Sequence, residues 1–243
     1  MSLLTTLGNE DELRPGFLKP GNPNLTLWLD ASKLESLTFA IGQKISQWDD
    51  FSGNGNHAFQ ATSTNQAQLG TMQNGYPCLL WSATNYMEAP NTIDPGNGAL
   101  SAFVVYNRSS GNNQSLLSQV QTTGSGRTWL NILPTNTGKN NSFLGGINTT
   151  ASSALSLNDT HLVDLVLNGT NLTMYEDGVS SFSATVTGEA CTGNIVIGST
   201  RIFTESHIGK ISEVILYDKA ISLKERHLLQ NYLLKKWGIK KNV

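Results

Sequence analysis

Two segments, LTLWLDASKLESLTFAIGQKISQWDDFSGNGNHAFQ (25–60) and GKISEVILYDKAISLKERHLLQNYLLKKWG (209–238), decide the fold. In the first, Leu25, Leu27 and Leu29 alternate with Thr26, Trp28 and Asp30, the period-two pattern of a strand. Trp28 on the second face implies that this strand is covered on both sides. In the second, Ile211, Val214 and Leu216 alternate imperfectly, as in a strand partly buried on both faces, and then the period changes. Ser222 with Glu225 makes a capping box, Leu228, Leu229, Tyr232, Leu233 and Trp237 recur at helical spacing, and Gly238 ends the run. A helix is therefore expected over 222–237, with Lys235 and Lys236 suiting the negative end of its dipole. Its apolar stripe needs a sheet to bury against.

Between these ends the chain reads as short strands separated by turns, the pattern of a sandwich or barrel. Ile45 to Asp49 and His57 to Ala61 are expected to pair around Asn54-Gly55. Further strands are expected at Cys78–Trp81, Tyr86–Ala89, Ala99–Tyr106, Ser115–Val120, Thr128–Leu133 and Ser142–Ile147. The clearest unit is HLVDLVLNGTNLTMYEDGVSSFSATV (161–186), where Asn168-Gly169 and Asp177-Gly178 turn three strands into a meander. Gly193–Ile197 and Ile208–Tyr217 add two more. Residues 1–24 carry Pro15, Pro20 and Pro23 and read as an extended arm, since proline fixes φ and removes a donor. The domain proper is expected over 25–243.

Only 14% of residues are charged, while Asn, Ser and Thr each number about two dozen, so the surface is neutral and rich in amides and hydroxyls. A formal charge of −2 gives no general attraction to nucleic acid. Half of the 16 Lys and Arg residues lie from Lys210 onward, but interleaved carboxylates make that a solvated helical face. Cys78 and Cys191 are too few for a disulfide framework and are expected as buried thiols. No apolar run is long enough for a transmembrane helix, and MSLLTTLGNEDEL lacks the basic start of a secretory signal. A polar β-protein made in the cytosol without an export signal fits a component of a virion released by lysis.

Together LWLDAS (27–32), WDDFSGNGNHA (48–58), LNGTNLTMYEDG (167–178) and the terminal strand-plus-helix resemble the concanavalin A-like jelly roll with laminin-G-like character. The resemblance spans about residues 25 to 239. It implies an all-β jelly-roll sandwich with one C-terminal amphipathic α-helix. Modules of this kind recur in bacterial extracellular proteins and in bacteriophage particles, as tail adhesins and capsid decorations.

Catalysis finds no support in the residues. Glycosidases need two carboxylates across the scissile bond, and the E-x-D-x-x-E strand motif of glycosidases on this scaffold is absent. Glu176 and Asp177 are adjacent and read as a strand end and turn. His57, His161, His207 and His227 are scattered without zinc spacing. No G-x-S-x-G elbow occurs, and GSGR (124–127) lacks the Lys-Ser/Thr of a phosphate loop. The expectation is a protein that is not an enzyme and needs no cofactor.

Binding expectations rest on three places. Asp49, Asp50, Asn54 and Asn56 offer oxygens for calcium within one loop, although a plain hairpin turn competes with that reading. Trp129, Tyr86 and Tyr106, with Asn131 or Asn107 nearby, are candidate glycan platforms. Leu13, Pro15, Phe17, Leu18 and Pro20 are the arm residues expected to dock on a neighbouring subunit, against the alternative that the arm folds back on its own domain. Two functions follow: a multicopy or homo-oligomeric virion structural protein, in a capsid or tail and held by its arm, or a lectin-like adhesin that binds host polysaccharide. Neither involves nucleic acid or membrane insertion.

Overall fold

The computed structural model describes residues 14–90, 92–110, 114–121, 133–134, 139–144, 147–188, 190–200 and 205–241. The strands are β1 (Leu25–Asp30), β2 (Leu37–Ala40), β3 (Lys44–Trp48), β4 (Ala58–Phe59), β5 (Gln68–Leu69), β6 (Leu79–Trp81), β7 (Met87–Ala89), β8 (Ala99–Arg108) and β9 (Leu117–Gln121). They continue as β10 (Leu133–Pro134), β11 (Asn140–Leu144), β12 (Ile147–Thr150), β13 (Thr160–Asn168), β14 (Asn171–Glu176), β15 (Val179–Thr185), β16 (Cys191–Ile197) and β17 (Gly209–Tyr217). Among the described residues a single α-helix, α1 (Leu223–Trp237), follows. The expected all-β architecture with one terminal helix is what forms.

One sheet runs in the order β15-β14-β13-β8-β17-β6-β5-β3-β4-β7-β16-β9, and β10-β11-β12 form a small separate sheet. The long sheet closes on itself as a sandwich. Met174 and Leu165 from one end of the path and Ile195 and Leu117 from the other lie in the same core. Strand β17 is its hub: one edge pairs with β8, and the other is shared by β6 at Gly209–Ile211 and β1 at Glu213–Tyr217. The two segments that decide the fold are thus direct neighbours. A bulge between Ile211 and Glu213 explains the imperfect alternation of Ile211, Val214 and Leu216, because the extra residue resets which face the side chains point to.

Strands β8 and β17 are buried on both faces. Leu100, Ala102, Val104 and Tyr106 point into the sandwich, while Phe103 and Val105 point the other way, into a second core roofed by α1. The capping box is formed: Ser222 Oγ accepts from Glu225 N, and the Glu225 carboxylate accepts from Ser222 N at 2.7 Å. Gly238 closes the helix in the left-handed region at φ 68°. Leu229, Tyr232, Leu233 and Trp237 are buried, as the spacing predicts, but Leu228 is exposed. Arg226, Gln230 and Lys236 are buried in its stead.

Lys236 therefore does more than complement the helix dipole. Its ammonium donates to Asp30 Oδ2 at 2.7 Å and to Glu213 Oε2 at 2.9 Å, with all three side chains almost wholly buried. The indoles of Trp28 and Trp237 donate to the two oxygens of Glu213 at 2.9 and 2.7 Å. Burial alone would push the Lys236 ammonium down, but the charges of Glu213 and Asp30 outweigh it and hold it well above its usual range. This cluster bolts β1, β17 and α1 together. A neighbouring contact does the same for β13: Gln230 Nε2 donates to Asp164 Oδ1 at 2.8 Å.

The arm departs from expectation. Leu18 is fully buried with Leu25, Trp28 and Trp237, Pro15 is buried, and Phe17 packs against the same group. Gly21 N donates to Ser52 O at 2.8 Å, and Asn22 Nδ2 to Phe17 O at 2.7 Å. Pro15 and Leu18 bury their apolar surface in their own domain and Phe17 part of its own, which is the fold-back alternative. Pro20 is exposed, and Leu13 lies outside the described residues.

Strand β2 was not expected. It hairpins onto β3 through Gly42 and Gln43, both at positive φ, and a bulge at Thr38/Phe39 hides its alternation. Strands β3 and β4 pair as expected through Gln47–Phe59 and Trp48–Ala58, but the positive φ values fall on Gly53 and Gly55, not on Asn54. Cys78 and Cys191 are buried, and neither is in a disulfide. Of the strand expected at Thr128–Leu133, all but Leu133 lies outside the described residues.

Two outcomes check this account. Lys236→Ala leaves two buried carboxylates without their cation and should cost about 3–5 kcal/mol in urea unfolding. Burial raises the Asp164 carboxyl to about 7, against the lowering pull of Gln230 and Arg226, while the unfolded value is about 4. The native state then holds the extra proton in that window, so stability should fall as pH rises from about 4 to about 7. Asp164→Asn should flatten that slope.

Candidate functional site

The meander β13-β14-β15 builds the polar centre of the molecule. Gly169 (φ 62°) turns β13 into β14, and Asp177 (φ 47°) with Gly178 (φ 86°) turns β14 into β15. Positive φ at both central residues is what a two-residue hairpin of this twist demands. The second turn places the consecutive carboxylates Glu176 and Asp177 at one end of the sheet, each in its own network.

Glu176 is only 4% exposed. One of its oxygens accepts from Asn140 Nδ2 at 2.5 Å, and the other from Ser181 Oγ at 2.6 Å. The Asn140 amide also bonds the Tyr106 hydroxyl, 3.0–3.1 Å away. Burial pushes the Glu176 carboxyl up, against the lowering effect of these donors. Asp177 accepts from Leu162 N at 2.8 Å and meets His161 Nδ1 at 2.7 Å. Burial would lower His161, but the hydrogen bond and charge of Asp177 outweigh it and raise the imidazole above its ordinary value. His161 Nε2 faces Ser156 O at 3.2 Å and Ser156 Oγ at 3.4 Å.

Ser156, His161 and Asp177 follow the order of a nucleophile triad, but their protons run the wrong way. The Ser156 hydroxyl donates to Asp159 Oδ2 at 2.5 Å. A serine that gives its proton to Asp159 does not donate it to the imidazole that would have to activate it.

Beside Glu176 lies an open cleft of about 400 Å³, walled by Ser152–Leu155 on one side and Val179, Ser180 and Ser181 on the other. Its surface is a set of hydroxyls over a carboxylate, with Leu155 and Val179 as apolar contacts. Such a surface matches the alternating hydroxyl and C–H faces of a saccharide, few polar groups fixing orientation within a concave site.

The expected site residues are not brought together here. Tyr106 is a fully buried core residue and cannot serve as a glycan platform. Tyr86 is half-buried beside β7, where its carbonyl accepts from Gln60. Asn107 is buried and donates to Asp159 O. Trp129 and Asn131 lie outside the described residues.

The loop expected to hold calcium is held by its own donors. Asp50 accepts from the backbone N–H groups of Trp28, Ser52 and Asn56 and from Ser52 Oγ. Asn54 and Asn56 turn their amide nitrogens to the carbonyls of Leu25 and Thr26. Asp49 faces Gln47 and His57. Asp50 and the two asparagines thus tie the loop to β1, the plain-turn reading. Among the described residues no three His, Cys, Asp or Glu side chains group as metal ligands.

A family profile described as the concanavalin A-like lectin/glucanases superfamily matches residues 82–225, more than half of the chain. No curated protein matches the sequence. Similar solved structures include the Trypanosoma rangeli sialidase in complex with 2,3-difluoro-KDN, at 13% identity and a TM-score of 0.62, covering 93% of this chain and 37% of that one. The binding domain of Paraclostridial Mosquitocidal Protein 1 is similar at 15% identity and a TM-score of 0.62, over 88% of this chain and 55% of that one. A mutant α-L-arabinofuranosidase soaked with its 4-nitrophenyl arabinoside is similar at 14% identity and a TM-score of 0.66, over 80% and 51%. The chain thus spans from about a third to just over half of the length of these structures. At such identities the likeness is one of fold.

It nonetheless corrects the expectation that the chain is not an enzyme, because sialidases and an arabinofuranosidase stand among the structures that share its fold. The absence of one strand motif does not exclude glycoside chemistry on this scaffold.

The networks make a prediction for the histidines. In an NMR titration His161 should titrate above about 6.5, and Asp177→Asn should lower that midpoint. His207, lowered to about 4 chiefly by burial, should not charge until well below neutrality. Since the folded His161 value is the raised one, its pairing stabilises at low pH, and that contribution is lost as pH rises through it. The family match and the closed jelly-roll sandwich agree: this chain belongs to the concanavalin A-like lectin/glucanases superfamily.

Proposed function

We propose that this chain is a carbohydrate-binding domain that seats a saccharide in the cleft beside Glu176. The observation that carries the reading is the cleft itself: serine hydroxyls on both walls above a carboxylate already oriented by Asn140 and Ser181. Oriented groups lose little freedom on binding, which favours even a weakly apolar site. The family and the binding domain among the similar structures support the same reading. A place on a bacteriophage capsid or tail is compatible with such a domain, and it rests on the polar composition and the resemblance alone.

A glycan array followed by calorimetry on the best hit tests the proposal. Val179 is exposed on the rim, so Val179→Trp should fill the cleft, leave the fold intact and weaken binding at least tenfold. No binding to any glycan, or full binding by that variant, would overturn it. Following the bound glycan for new reducing ends separates retention from hydrolysis. Release that disappears with Glu176→Gln would assign the cleft to glycoside cleavage.

A further inference from the structure

A second polar groove lies on another face of the molecule, between the outer side of β13–β14 and the first turn of α1. Asn168, Asn171, Thr173 and Tyr175 form one side, and Leu223 and Arg226 the other, around about 200 Å³. Past Asn171 and Thr173 it continues across β14–β15 to Ser183, over a further 390 Å³ or so. The rim carries amides and hydroxyls, and Arg226 lines the groove together with Val166, Ile221 and Leu223.

That arginine is not fully used by the fold. Its side chain is only 5% exposed, and its guanidinium is stacked 3.4 Å from the centre of the Tyr175 ring. Nη1 stands 3.5 Å from Asp164 Oδ2, too far for a good hydrogen bond, because Gln230 holds the other oxygen of that carboxylate. Nε and Nη1 are buried and donate no hydrogen bond among the described residues, and Asp164 Oδ2 accepts none, although it stays within ion-pair distance of Nη1. The planar guanidinium fork is the side chain best matched to a carboxylate. Stacking on Tyr175 fixes its plane, so little order remains to be imposed.

We infer that this groove binds the carboxylate of an acidic saccharide, a uronic acid, with Arg226 as the anion partner and Asn171 and Thr173 on the neighbouring hydroxyls. The inference takes the class of ligand from the carbohydrate-binding reading, but it names a separate site.

Calorimetry at low ionic strength with trigalacturonate, and with the same trisaccharide after its carboxyls are reduced to alcohols, tests it. The acidic form should bind, and the reduced form at least tenfold more weakly. Asn171 and Leu223 are exposed, so Asn171→Asp, which sets a like charge against the ligand, and Leu223→Trp, which fills the groove, should each weaken trigalacturonate at least tenfold without lowering the melting temperature. Val179→Trp in the other cleft should leave it unchanged. Absence of binding at millimolar trigalacturonate, equal affinity for the reduced form, or indifference to both groove variants would overturn the inference. Loss in Val179→Trp alone would also overturn it, while leaving the carbohydrate-binding reading intact.

Discussion

One buried ammonium decides how this molecule is closed. Lys236 comes from the last turn of the terminal helix, Asp30 from the first strand, 206 residues away, and Glu213 from the last strand, 23 residues away, and the three meet at a single charge. Burying two carboxylates costs far more than an exposed pair would return, and only the shared cation with two indole donors makes the arrangement tolerable. The geometry is correspondingly specific. A helix shifted by one residue would take Lys236 out of reach of both carboxylates and expose Trp237.

That closure has a consequence for the surface. With α1 fixed over β8, β13 and β17, the meander β13-β14-β15 is backed by a core on its inner side, and the helix covers its outer side at β13. Its turn residues are therefore set by the sheet, and they carry the polar chemistry. Glu176 faces the serine cleft, Asp177 fixes His161, and the outer side of β14 offers Thr173 and Tyr175 to the groove beside Arg226. Binding groups held on strands need little ordering by a ligand, which suits a domain that recognises saccharides with few contacts.

Much of this was legible in the sequence where the signals are local. Ser222 with Glu225 marked the start of the helix and Gly238 its end, and Asn168-Gly169 and Asp177-Gly178 marked the meander, because capping and tight turns depend on a few adjacent residues. Signals that depend on distant partners were not legible. Lys236 read as a solvated helix-end charge, since nothing near it in sequence announces Asp30. Tyr106 read as a candidate platform, although the strand around it is buried on both faces. Asp50, Asn54 and Asn56 read as possible calcium ligands, because oxygens alone do not reveal that backbone N–H groups already claim the Asp50 carboxylate and that the two side-chain amides donate to carbonyls of β1. The arm's prolines suggested an extended run, but residues 14–24 fold into successive turns, closed by Leu18 N to Pro15 O and Asn22 N to Lys19 O, and their destination is set by the pocket that Leu18 fills. The cleft was missed because Ser152–Leu155 and Val179–Ser181 meet only in three dimensions.

The most direct measurement of the central claim is an amide chemical-shift titration of the whole chain with the saccharide selected on the array. The account predicts that the largest shifts fall on Ser152–Leu155 and on Glu176–Ser181, with the β1–β17 pairing undisturbed. Shifts confined to other surfaces, or spread evenly through the sandwich, would contradict it.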